Sequence, residues 1–125
     1  MSKWVYGYAL PLGVIKYLHP RRGSLLLVVG AGMGQTAIMA ARRFKCRVLG
    51  LEASPKLVEE ARRRAGKAGL GEAVSFSLLS ESRGVEEAET IFFETILSFV
   101  DDPVELINSY VGGGGEVRVG ILEIV

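Results

Sequence analysis

Leu25-Leu26-Leu27-Val28-Val29-Gly30-Ala31-Gly32-Met33-Gly34 decides the fold. With Ser24 before it, the apolar run has no alternation that would leave one face in water. It therefore predicts a central parallel strand buried on both sides. The glycines behind it permit a tight turn and let a ligand come close to the backbone. Gln35 to Phe44 then reads as a helix, with Ile38, Met39, Ala41 and Phe44 near one face. Arg42, Arg43 and Lys45 suit the negative end of its dipole.

The residues downstream close the unit. Arg47 to Leu51 is a second strand ended by Glu52, and Ser54 with Pro55 marks a helix start, the serine as N-cap and the proline at the first helical position. Leu57, Val58, Ala61, Ala65 and Ala68 recur at helical spacing, while Glu59, Glu60, Arg62, Arg63 and Arg64 read as a solvated face. In this order the Glu52 carboxylate stands beside the glycine turn, where it can accept hydrogen bonds from two ribose hydroxyls. The pattern is that of a nucleotide-binding βαβ unit.

Further along, Ala73 to Leu79 predicts a third strand, Ser80 to Thr90 a polar connection, and Ile91 to Phe93 a fourth strand followed by Glu94. Asp102-Pro103 is another helix entry, with Val104, Leu106, Ile107 and Tyr110 on the helix. Gly112 to Gly115 is a break without the strand and helix that a phosphate loop needs. Glu116 to Val125 is the last strand. Before the decisive stretch, Val14 to Leu18 forms a short helix ending ahead of Pro20.

Residues 1–23 thus read as an N-terminal helical flap and 24–125 as the nucleotide-binding body. Right-handed crossovers turn this order into an α/β fold, a three-layer, open, mostly parallel Rossmann-like sheet. Its crevice lies beyond the carboxyl ends of the strands, where Gly30 to Gly34, Glu52 and Glu94 all fall.

Composition narrows the function. The chain is 49% hydrophobic and 23% charged with a net charge of +1, which suits one well-buried domain and gives no field that favours nucleic acid or a membrane surface. Pro11, Gly13, Lys16 and His19 interrupt the N-terminal segment, so neither a spanning helix nor a secretion signal is expected, and the cytoplasm is the default location. Cys46, the single cysteine, reads as a small buried hydrophobe. A dinucleotide fingerprint would need glycine where Gln35 stands, and neither a P-loop nor a GxSxG nucleophile turn is present. His19 alone makes no metal cluster. In the flap it is a candidate for the mouth of the crevice, against the plainer reading of an exposed side chain. Trp4, Tyr6, Tyr8 and Tyr17 read as cover packing or the wall of an acceptor pocket.

With these pieces in place the chain resembles the class I S-adenosylmethionine-dependent methyltransferases. Leu26 to Gly34, Val48 to Glu52, the helix entry Ser54-Pro55 and Phe93 to Phe99 carry the likeness. The resemblance implies that Gly30, Ala31, Gly32 and Gly34 surround the amino-acid part of S-adenosylmethionine and that Glu52, with Ala53 beside it, holds the ribose. It also implies Ser80 and Glu81 near the adenine, and Glu94 facing the methyl donor or acceptor as an acid-base or orienting group. Val28 stands where the family usually carries an acid, and Ser80-Glu81 replaces a more usual acidic-small pair. The family continues through two further strands beyond the fifth, whereas here the residues of that strand end the sequence and leave an apolar edge. The expected partners are a small-molecule acceptor and a second copy, in a homodimer through the C-terminal strand or its neighbouring helix. Two alternatives stand beside methyl transfer: a non-catalytic nucleotide-binding or assembly protein on the same fold and, with less support, an NAD-dependent oxidoreductase.

Overall fold

The decisive run forms β1 (Leu25–Val29), with every residue buried. The structure is a computed structural model, and it describes residues 3–81, 87–111 and 116–123. Around β1 lie α1 (Lys3–Tyr17), α2 (Gln35–Phe44), β2 (Arg47–Glu52), α3 (Pro55–Lys67), β3 (Val74–Leu78), β4 (Ala88–Glu94), α4 (Pro103–Val111) and β5 (Arg118–Leu122). Short 3-10 turns occupy Leu79–Glu81 and Leu97–Phe99.

The strands lie in the order β3-β2-β1-β4-β5, and each neighbouring pair is parallel. The direction of winding reverses between β1 and β4, and a crevice opens at the carboxyl ends of the strands at such a switch point. Alternate residues of β1 serve opposite faces. Leu26 and Val28 join Ile15, Ala37, Ala40, Val58, Ala61 and Phe76 under α1, α2 and α3. Leu25, Leu27 and Val29 join Ile91 and Phe93, against which Leu106, Ile107 and Tyr110 of α4 pack. The three-layer α/β fold expected from the sequence is the one observed.

Local chemistry explains most boundaries. Ser54 accepts a hydrogen bond from the Leu57 amide at 3.3 Å, and Pro55 begins α3 as expected. Asp102 Oδ1 accepts from the Glu105 amide at 3.0 Å ahead of Pro103. Cys46 is buried, and burial pushes its thiol pKa up, which keeps it an inert hydrophobe.

Several elements differ from the sequence reading. The N-terminal helix is much longer than Val14 to Leu18, running Lys3–Tyr17 with Pro11 inside it. Burial of Leu12, Ile15 and Leu18 against the sheet supplies what the missing proline donor removes. β4 begins at Ala88, not Ile91, because Thr90 is fully buried despite its hydroxyl and Glu89 finds a distant partner in Arg21. Arg62 is exposed, as expected of the solvated face, and also donates to the Phe76 carbonyl from Nε at 3.1 Å and Nη2 at 2.8 Å. The expected last strand shortens to Arg118–Leu122. The glycine break at 112–115 and the side chains of Trp4, Tyr6 and Tyr8 lie outside the described residues.

His19 is exposed and sits at the wrong end for the mouth of the crevice. The guanidinium of Arg118, at the amino end of β5, donates to the carbonyls of Leu18 and His19. That contact fixes the end of α1 at the opposite rim of the sheet.

Candidate functional site

The parallel register brings three strand ends together. Val29 stands opposite Leu51 of β2 and Phe93 of β4, so Gly30, Glu52 and Glu94 each follow at the same rim. The turn after β1 is tied to β2, with the Gly30 and Ala31 amides donating to the Leu51 carbonyl at 2.8 and 3.0 Å. Glu52 closes a second tie. Its Oε1 accepts from the Gly32 amide at 3.0 Å and its Oε2 from the Ser54 amide at 3.1 Å. One carboxylate thus braces the glycine turn and the start of α3.

The glycines differ in what demands them. A Cβ on Gly30 would stand 2.5 Å from the Glu94 carbonyl oxygen, so the two strand ends touch backbone to backbone. Gly34 has a φ of +89°, and a Cβ there would meet the Phe76 ring at 2.6 Å. Gly32 has a φ of +56° and open space where its side chain would be. Gly34 therefore serves packing, whereas Gly32 leaves room above the turn.

A cavity of about 220 Å³ adjoins the turn, lined by Gly30, Ala31, Gly32, Met33, Gln35, Thr36, Glu94 and Thr95. Its carboxylate belongs to Glu94, whose Oε2 accepts a hydrogen bond from the Thr36 hydroxyl at 2.9 Å. Burial raises the Glu94 pKa above the ordinary carboxylate value, and the Thr36 hydrogen bond offsets part of that rise. Thr95 follows with a left-handed backbone, φ 49°, and its amide donates to the Leu122 carbonyl of β5 at 2.7 Å.

Of the residues singled out by sequence, Gly30, Ala31, Gly32 and Glu94 line this one cavity. Glu52 lies behind the turn, half-buried, with Ala53 exposed beside it. Ser80 and Glu81 are exposed on the 3-10 turn after β3, one strand further out, where Leu78 pairs with Glu52. Gly34 is buried beneath the turn.

Thr36 was missed by sequence reasoning. Its one signal is a polar residue in the first turn of α2, on a helix whose other buried positions are Ala37, Ile38, Ala40 and Ala41. Gly50 was missed as well: a Cβ there would come within 2.5 Å of the Phe76 ring and 2.9 Å of the Ala31 Cβ. Among the described residues no cluster of acids, histidines and cysteine is suited to a metal ion, and no helix is long and apolar enough to cross a membrane.

The methyltransferase domain family matches residues 26–106, a span that runs from the second residue of β1 through β4 and holds the whole glycine turn. Among solved structures, an RNA methyltransferase from Salinibacter ruber in complex with S-adenosyl-L-homocysteine is 28% identical, with a TM-score of 0.65 over 73% of this chain and 60% of that one. The [4+2]-cyclase SpnF is 23% identical, with a TM-score of 0.81 over 92% of this chain and 44% of that one. A SAM-dependent methyltransferase from Aquifex aeolicus is 18% identical, with a TM-score of 0.76 over 90% of this chain and 63% of that one. The chain thus spans less than two thirds of the length of each. No curated protein matches the sequence.

Proposed function

Because the chain belongs to the methyltransferase domain family, we propose that it binds S-adenosylmethionine at the β1 turn and transfers its methyl group to a small acceptor. One observation carries the reading: Glu52 ties the Gly32 amide to the start of α3, while a cavity opens between that turn and Glu94. The residues fit the cofactor's chemistry. A carboxylate offers about four lone-pair sites, and Glu52 gives one on each oxygen to a backbone amide. Each oxygen keeps capacity for a ribose hydroxyl. The open space at Gly32 admits the amino-acid part, with Gly30 and Ala31 alongside, and Ala53, Ser80 and Glu81 stand toward the adenine.

When bound, the cofactor supplies an electrophilic methyl on a sulfonium. The chain's own task is to hold the acceptor in line, exclude water and place Glu94 at the reacting group. Val28 is fully buried in β1, so the acid that the family usually carries there has no counterpart, and Glu52 is the acid that bears the binding. The second reading is a non-catalytic nucleotide-binding or assembly protein on the same fold.

Calorimetry with S-adenosylmethionine and with NAD tests the proposal. Binding of the former alone, followed by transfer of labelled methyl to an acceptor, is the expected result. Binding of NAD alone supports an oxidoreductase. Binding of neither counts against any nucleotide role.

We also assign homodimerisation to β5. The two sheet edges differ: Arg62 occupies the Phe76 carbonyl of β3, whereas β5 presents Ile121, 48% exposed. An apolar edge strand invites a second strand. Light scattering is expected to show a dimer that Ile121→Lys converts to monomer, and a native chain that is monomeric at micromolar concentration rejects the assignment.

A further inference from the structure

We infer that Thr36 is a positioning residue for Glu94, fixing its carboxylate where it takes a proton from a nucleophilic nitrogen or oxygen of the acceptor. The inference rests on the methyltransferase reading and adds to it one residue and the acceptor's chemistry. Thr36 is 6% exposed, on a helix turn whose buried neighbours are apolar. A buried hydroxyl is costly without a partner. Its hydroxyl donates to Glu94 Oε2 with 2.9 Å between the oxygens, and both residues line the same cavity.

Among the described residues, nothing donates to Glu94 Oε1. Gly30 to Ala37, from the turn and the first turn of α2, bring no charged side chain. From β5, Leu122 is the register partner of Glu94, and the next residue, Glu123, accepts from the Leu97 amide. Glu94 is therefore held at one oxygen, and the other is left to the cavity.

The proton balance sets the acceptor class. Methylation of an N–H or O–H group forms a C–N or C–O bond as the methyl–sulfur bond breaks, its electron pair staying on sulfur. The displaced proton passes to Glu94 Oε1 and from the neutral carboxyl to water. A nucleophile without a proton has no use for this group.

Carbon-13 NMR titration of the ligand-free chain tests the clamp. Thr36→Val is expected to move the Glu94 midpoint upward, since a hydrogen bond that favours the charged form is lost, and Thr36→Ser to keep the native midpoint. An unmoved midpoint in Thr36→Val, or equal shifts in both variants, overturns the inference. Calorimetry with S-adenosylmethionine separates the two readings: a native chain that does not bind counts against methyl transfer itself, and a binding chain with an unmoved midpoint counts against Thr36 alone. With labelled S-adenosylmethionine, transfer to primary amines or phenols is expected. Preference for a trialkylamine or thioether overturns the acceptor chemistry, and transfer to none counts against the methyltransferase reading.

Discussion

Glu52 and Glu94 end the two strands that flank β1, yet their surroundings divide them. Glu52 receives two backbone amides, one on each oxygen, from segments it must hold in register. Glu94 receives one side-chain hydroxyl and lies deep enough for burial to raise its pKa. The first arrangement anchors charge on fixed donors and stiffens the turn. The second leaves a carboxyl ready to gain a proton. Residue type and place in the topology are the same, so the donors around each carboxylate decide between a brace and the proton handler proposed above.

The largest expected effect breaks the comparison on the Glu94 side. Glu94→Gln keeps the shape and the acceptor for Thr36 but cannot take a proton, and labelled-methyl turnover should fall by about 100- to 10,000-fold. Affinity for S-adenosylmethionine should change by no more than about threefold, because the removed charge acts on the acceptor. A variant that turns over at the native rate reduces Glu94 to a polar lining.

On the other side the expected losses exchange. Glu52→Ala removes two charge-assisted hydrogen bonds and the proposed ribose contact, so affinity for S-adenosylmethionine should fall by about 100-fold in calorimetry. Glu52→Gln, which keeps one acceptor oxygen, should fall between the native chain and the alanine variant. Native affinity in Glu52→Ala would mean that the turn holds its shape without the brace.

The place of Glu52 beside the glycine turn was legible in the sequence, though not its bonds to two amides, and the surroundings of Glu94 were less so, for a physical reason. Signals around Glu52 are local: an unbroken apolar strand, adjacent glycines, and Ser54-Pro55 capping the next helix. Glu94 was placed at a strand end, but its Thr36 partner lies 58 positions away and no local pattern announces it. The start of β4 was hidden in the same way. Glu89 and Thr90 look like a polar connection until Arg21 and the buried sheet account for them. The long α1 was obscured by Pro11, whose cost is met by packing against residues far along the chain. Gly50 looked like an ordinary strand residue because the Phe76 ring that demands it comes from the neighbouring strand.

The smallest effect sharpens the comparison through stability. Burial raises the folded-state pKa of Glu94 above the ordinary glutamate value, so between the two values the folded chain keeps a proton that the unfolded chain has lost. The folded state therefore gives up stability as pH rises through that window and is free of the penalty below it, the reverse of a carboxylate whose pKa is lowered. Glu94→Gln carries no such titration. Heat-denaturation midpoints of the native and variant chains should converge at about pH 4 and separate at about pH 7, the variant being the more stable by a few degrees. A gap that widens toward acid instead would show that charged Glu94 stabilises the fold. That result would make it a second brace like Glu52 and would remove the trade of stability for proton transfer.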